Sequence, residues 1–307
     1  RPRGYIDTKG NDPFTVNGYT SIRTYDWITD DGYNNLAESI MTSKRDEKYF
    51  NLITGALRVC ANYRPMFGKG RKGGMTLQQF RQLYGSDPFY KWVGLDSPLM
   101  YAAHKTAGGM TSVYRQLGIG CQWVFTNILK DTLGLSETQA TWTYKVPVPG
   151  GKPRTLSLDG RIEFSHIKDA KTRTRIEEWT AKASRKIGLT PSVQRQIKGL
   201  VFEVRQGYKS MDSKRQNADI ANASNAYANL YLPVLLLLST QIDQALIARY
   251  SQSRWLLLVG KTDGTSLQST YVFCRDVLRY DLARFFSRRS ARIKAELERV
   301  LATLLKA

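Results

Sequence analysis

Apolar residues recur every three or four positions in EKYFNLITGALRVCANY, residues 47–63, where Tyr49, Leu52, Ile53, Ala56 and Leu57 share one stripe. That period predicts an amphipathic helix, with Ser43 and Asp46 placed as a capping pair at its start. NNLAESIMTS, before it, has the same spacing, and Thr76 stands where it can cap a further helix, LQQFRQLYG. From Gly109 onward the pattern alternates between helical and extended. Leu117, Cys121, Val124, Phe125, Ile128 and Leu129 form a helical stripe that Gly134 closes. TWTYKVPV and RTLSLDGRIEF then read as strands joined at PGGKP, a hairpin turn. Residues 165–197 read as exposed helix, GLVFEVRQG as a strand, 213–229 as a helix rich in Ala and Asn, and LPVLLLLST as a central strand. A helix at 241–250, the strand RWLLLVG and a long amphipathic helix over 271–305 complete the chain. The pattern predicts an α/β fold, a mixed sheet flanked by helices. It divides into a mainly helical region at 1–108 and an α/β core with a C-terminal helix at 109–307.

Composition narrows the partners. The 307 residues carry 46 Lys plus Arg against 26 Asp plus Glu, a formal charge of +20, so the surface field attracts polyanions. Nucleic acid is the leading expectation. The cations are spread along the chain rather than gathered beside an anchor, and the longest apolar run, YLPVLLLLS at 231–239, is far short of the roughly 20 residues of a membrane span. No membrane association is expected. No secretory signal pattern is visible at the N-terminus. Cys60, Cys121 and Cys274 are odd in number and lie in apolar patterns, which predicts buried thiols and suits a reducing, cytoplasmic setting. His104 and His166 cannot build a metal centre between them and read as surface or capping residues.

Two segments imitate phosphate loops. GKGRKGGMT lacks the closing Gly-Lys-Ser/Thr of a P-loop, and WLLLVGKT has Gly260-Lys261-Thr262 but Trp255 where the first glycine belongs. No nucleotide cofactor is expected. G-x-S-x-G, H-E-x-x-H and C-x-x-C are all missing, which leaves serine and zinc chemistry without support.

A carboxylate pair in a basic setting remains. Alternation in VFEVR places Glu203 and Arg205 on one face of a strand and Phe202 and Val204 on the other, so Glu203 is expected to be presented rather than buried. Asp159 ends TLSLD on the preceding hairpin. Two carboxylates from neighbouring strand ends make a hard-oxygen site suited to Mg²⁺. Blander readings stand beside this one: Asp159-Gly160 is also a two-residue turn signal, and Glu203 can be a strand residue simply paired with Arg205.

The segments AGGMTSVYRQLGIGCQWVFTNILKDTLGL, TLSLDGRI, GLVFEVRQGYKSMDSKRQNADIANA and LPVLLLLSTQID, within residues 90–290, resemble the ApaLI-like type II restriction endonucleases, and more distantly the PD-(D/E)xK nuclease superfamily. The resemblance implies a nuclease core and Mg²⁺-dependent double-strand DNA cleavage at a short palindrome, GTGCAC for the name-giving enzyme. It also implies a homodimer in a prokaryotic cytoplasm. By the superfamily pattern Asp159 and Glu203 are the metal ligands. Arg205 stands where lysine is expected, and a guanidinium keeps its charge, so it can clamp a phosphate but cannot assist the attacking water as a base. Lys209, beyond the flexible Gly207, is the nearest cation able to do so, with Lys214 in reserve. Where many relatives carry an acid on the helix before the hairpin, this chain offers Gln122 and Arg115.

For DNA, Lys214, Arg215, Gln216 and Asn217 open a helix whose positive end suits phosphates or base edges. Lys69, Arg71 and Lys72, interleaved with glycine, read as an arm that orders on the backbone. Arg284, Arg288, Arg289 and Arg292 read as a solvated face. The alternative class is a basic DNA- or RNA-binding protein whose nuclease site has decayed, a reading that the arginine at 205 sustains.

Overall fold

The computed structural model describes residues 30–67, 73–146, 150, 152–207 and 213–306. Two compact units are distinguished, Arg1–Lys44 and Arg45–Ala307. In the first, the described residues 30–44 are helical. The second holds the sheet.

Helices α1 (Asp30–Arg58), α2 (Leu77–Gly85), α3 (Pro88–Trp92), α4 (Pro98–Leu133) and α5 (Glu137–Ala140) come first. Thr76 caps α2 as expected, through a reciprocal capping box with Gln79. Ser97 caps α4, Pro98 follows at its first turn, and Gly134, at φ 67°, closes it in the left-handed conformation that glycine tolerates best. The 36 residues of α4 run across residue 109, so one continuous helix spans the position where the sequence pattern changes. Val113, Cys121, Val124, Phe125, Ile128 and Leu129 lie on its buried stripe.

Strands β1 (Trp142–Val146) and β2 (Arg154–Leu158) form the expected antiparallel hairpin, a two-stranded sheet of its own. The main sheet is β3 (Gly160–Glu163), β4 (Gly199–Arg205), β5 (Tyr231–Leu237) and β6 (Leu256–Leu258), in that order. β3 runs antiparallel to β4, and β4, β5 and β6 run parallel. The architecture is therefore α/β with a mixed sheet flanked by helices. α6 (Ala170–Lys186) and α7 (Pro191–Gln196) connect β3 to β4, α8 (Ser213–Ala228) connects β4 to β5, and α9 (Gln244–Gln252) connects β5 to β6. α6 is not wholly exposed, because Ile176, Trp179 and Ala183 are buried on its inner face.

β5 is apolar throughout and buried along its whole length, as a parallel strand covered on both faces must be. Pro233, which has no N–H to give, lies one residue before the β5–β6 ladder begins at Val234 and Leu256. Leu200, Phe202 and Val204 face one core with Phe125, Ile128 and Phe273, and Val201 faces a second with Trp142, Leu158, Leu235 and Trp255. Each such fully buried side chain contributes roughly 1.5–3 kcal/mol. Cys60, Cys121 and Cys274 are free and buried, and burial pushes the Cys121 thiol up to about 12.

The C-terminal pattern is two helices rather than one. α10 (Thr270–Asp276) ends before Arg279, whose φ of 58° breaks the helical path, and Asp281 recaps α11 (Leu282–Leu305) by accepting from Arg284 N. Ser43 and Asp46 are not a cap either, since α1 runs straight through them. Asp46 is buried, 2% exposed, and accepts from Tyr280 Oη at 2.9 Å and from Arg288 Nε and Nη2 at 2.7 and 3.0 Å. Glu47 pairs with Arg289 and Arg292, and Glu296 with Arg58. Three arginines of the α11 stripe, Arg288, Arg289 and Arg292, thus pair with acids of α1, while Arg284, Arg288 and Arg292 stay exposed, as the sequence predicts.

Candidate active site at the junction of β2 and β3

Asp159 lies where the chain leaves the hairpin and enters the main sheet. β2 pairs with β1 and β3 pairs with β4, so the chain passes Asp159 without reversing, and the Asp-Gly turn reading does not hold. Gly160 follows because helix α4 presses on the strand: a Cβ there would sit 3.0 Å from Phe125 and 3.2 Å from Leu129. The β3–β4 register, Gly160 with Phe202 and Arg161 with Val201, sets Asp159 across from Glu203.

Asp159 is fixed at several atoms. Its backbone N–H donates to Phe202 O at 2.8 Å, and its carbonyl accepts from Thr126 Oγ1 at 2.7 Å. Its carboxylate Oδ2 accepts from the Val204 N–H at 2.8 Å and from Gln122 Nε2 at 3.1 Å. Gln122 Nε2 also lies 3.4 Å from Val204 O, so one amide ties α4 to both strands. Gln122 therefore occupies the helix position where an acid was sought, and it holds the aspartate rather than adding a charge. Thr126, one helical turn further along α4, was missed in the sequence; its spacing of four from Gln122 was the available signal.

Glu203 departs from expectation. It is buried, 7% exposed, because the face it shares with Val201 is not open to solvent: the β1–β2 hairpin brings Trp142 and Leu158 over it. Its Oε1 lies 2.6 Å from Arg205 Nη2, and both side chains are largely shielded. A pair this close and this dry is a charge-assisted hydrogen bond of the strong class. Arg205 is thereby engaged with Glu203, and a phosphate would have to share it.

The other candidates divide by location. Lys69, Arg71, Lys72 and Lys209 lie outside the described residues. Lys214, Arg215, Gln216 and Asn217 fall in the first turns of α8, which begins at Ser213 as the sequence predicts, but their side chains are outside the described set. Arg115 is exposed on α4. His104 is exposed and edge-on to Phe67, and His166 is half-buried.

Among the described residues no group of three or more His, Cys, Asp or Glu side chains could hold a metal ion. Asp159 and Glu203 are two hard carboxylates on adjacent strands, a donor set that suits magnesium, which keeps several of its own waters. Arg205 already balances one of those charges, so a divalent ion would have to displace or share that contact. Comparison with protein-family models, with curated proteins and with solved structures finds no match.

Proposed function

We propose that the chain is an Mg²⁺-dependent endonuclease that cuts both strands of DNA, in the manner of the ApaLI-like restriction enzymes it resembles, and that it acts as a homodimer on a short palindrome. The observation that carries this reading is the Asp159 carboxylate, held by the Val204 N–H and by Gln122 directly across β3–β4 from Glu203. Such fixation removes the conformational cost of assembling a site at the moment of reaction. Asp159 and Glu203 would hold the ion, which when bound lowers the pKa of a water and neutralises charge at the scissile phosphate. Water oxygen bonds to phosphorus as the bond to the 3′ oxygen breaks, and that oxygen leaves with a proton. Arg205 cannot take the proton from water at any ordinary pH, so its part is to balance Glu203 and hold the phosphate, while Lys209 is assigned to the attacking water.

A second reading is favoured by one contact. The salt bridge from Arg205 to Glu203 neutralises the carboxylate where the superfamily pattern has lysine, as expected of a basic DNA- or RNA-binding protein that no longer cuts. Incubating plasmids with and without GTGCAC in Mg²⁺ separates the two. Discrete bands support the nuclease, and intact DNA bound in a mobility shift supports the binder. Lys209→Ala is expected to lose orders of magnitude in rate with binding intact. Normal cutting by that variant would overturn the assignment of Lys209, leaving Lys214 in reserve, and if Arg205→Lys were inactive as well the arginine alone would occupy the lysine's place.

A further inference from the structure

Asp159 and Glu203 are held by different kinds of donor. Two neutral groups, the Val204 N–H at 2.8 Å and the Gln122 amide at 3.1 Å, fix Asp159 Oδ2 without cancelling its charge. Glu203 meets a full positive charge: Arg205 Nη2 lies 2.6 Å from its Oε1, with 12% of the arginine side chain and 9% of the glutamate side chain exposed. Attraction between charges is several times stronger in so shielded a place than in water, so Glu203 in this conformation offers a divalent ion a carboxylate that is already neutralised. An ion entering there would also stand beside a guanidinium that never gives up its proton.

Arg205 is the last residue of β4, and Gln206 and Gly207 after it are partly exposed, so the pair is shielded yet reachable from the end of the strand. A guanidinium carries five N–H donors in a planar fork, and a phosphate accepts two of them at once. DNA arriving at the end of β4 offers Arg205 a second anion of matching geometry. Once the guanidinium turns to the phosphate, Glu203 is left buried with an uncompensated charge, a condition that is strongly unfavourable until another cation takes the arginine's place. With phosphate and divalent ion both present, the charges of the two acids, the arginine, the phosphate and the ion cancel. With either one alone they do not.

We propose that the Arg205–Glu203 ion pair is a lock that keeps the metal site closed until DNA is bound: the free protein holds a divalent ion weakly, and a backbone phosphate draws Arg205 off Glu203 and so completes the site. The proposal rests on the nuclease reading for the ion and the phosphate, and adds to it the order in which they bind. Asp159 is the standing ligand and Glu203 the gated one.

Calorimetric titration of Mg²⁺ into the full chain without DNA tests the lock directly. Arg205→Gln, which keeps a donor for Glu203 but no charge, is expected to bind the ion roughly tenfold tighter than the wild type, and adding Glu203→Gln should abolish the gain. Arg205→Met removes the same charge if the glutamine variant does not keep the wild-type circular dichroism. The second measurement is the affinity for a GTGCAC duplex, by fluorescence anisotropy at constant ionic strength, with and without Ca²⁺, which takes the same hard oxygen ligands. By linkage the ion tightens DNA by the factor with which DNA tightens the ion, roughly tenfold in the wild type and clearly less in Arg205→Gln. The lock is overturned if the wild type binds Mg²⁺ without DNA as tightly as the folded arginine variant, if Ca²⁺ leaves its DNA affinity unchanged, or if Ca²⁺ acts equally on both proteins. Plasmid cleavage in Mg²⁺ tests the nuclease reading separately. Tighter ion binding by Arg205→Gln beside a wild type that leaves plasmid intact keeps the lock and removes the nuclease, and a wild type that cuts but whose ion affinity Arg205→Gln does not move does the opposite.

Discussion

Two carboxylate–arginine pairs in this molecule have opposite characters. Asp46 and Arg288 join helices α1 and α11 across 242 positions of sequence, with Tyr280 Oη adding a third bond to the same carboxylate. Glu203 and Arg205 are neighbours on one strand, two residues apart, and their contact closes no long-range connection. The first pair holds the fold together. The second is buried at the centre of a sheet that β4 would form equally well with apolar residues at those positions. Burying an ion pair is costly, and replacing both partners by well-packed apolar side chains is often neutral or stabilising by about 1–4 kcal/mol. Stability alone does not ask for such a pair, and its place beside a fixed aspartate supports the proposed site.

The largest expected effect breaks the site and spares the scaffold. Asp159→Ala and Glu203→Ala should each remove cleavage by three orders of magnitude or more, on the scale of lost transition-state stabilisation at about 1.4 kcal/mol per tenfold. DNA binding, measured by mobility shift, should persist, because the chain's cations supply phosphate affinity. Near wild-type cutting by either variant would move the metal site elsewhere.

The scaffold pair gives the reverse outcome. Asp46→Ala strands the Tyr280 hydroxyl and the Arg288 guanidinium, and breaking such a pair costs about 3–5 kcal/mol, toward the lower end here because Arg288 is partly exposed. In urea unfolding the midpoint should fall accordingly, while specific activity of the folded fraction stays near wild type. The Glu203→Met/Arg205→Met double variant should be inactive yet at least as stable as the parent. A double variant that unfolds easily would place both pairs among the structural ones.

How much of this was legible depended on range in sequence. The Thr76 cap, the Gly134 stop, the hairpin and the apolar run of β5 are local patterns, and each appears where the residues put it. Ser43 and Asp46 looked like a cap because the partners that explain Asp46, Tyr280 and Arg288, lie more than 200 residues away. Glu203 looked exposed because period-two alternation tells the two faces of a strand apart but not whether the second is covered. Here Trp142 and Leu158, from a separate sheet, cover it. The place of Asp159 at a junction was hidden for the same reason: TLSLDGRI reads as one strand, and only pairing partners reveal that it serves two sheets.

The basic residues divide along a similar line. Arg288, Arg289 and Arg292 are engaged by carboxylates of α1, whereas Lys69, Arg71 and Lys72 sit in a segment whose sequence offers no acid. Neutralising those three together should reduce the slope of log K against log salt by about 0.9 for each phosphate that the variant no longer neutralises. Neutralising Arg292 should leave the slope unchanged. Equal slopes in the loop variant and the parent would shift the DNA path to the helices.

The smallest effect separates charge from packing at the helix interface. Hydrogen bonding from Arg58 holds the Glu296 carboxyl below the usual glutamate range, and Arg292 does the same for Glu47. A carboxylate whose pKa is depressed in the folded state adds stability that is fully present above its unfolded value, about 4.3, and is lost as pH falls through the folded value. Arg58→Met keeps much of the side chain's apolar stem but removes the charge. At pH 7 the variant should be less stable by no more than about 1 kcal/mol, since Arg58 is half exposed and such pairs are screened. As pH falls from about 4.3 through the parent's lower folded value the gap between variant and parent should narrow, because below that value Glu296 is protonated in both and the missing guanidinium no longer matters. Urea unfolding at pH 7, 5 and 3 measures the gap directly. A gap that stays constant across those three values would mean that Arg58 acts by covering apolar surface with its stem rather than through its charge.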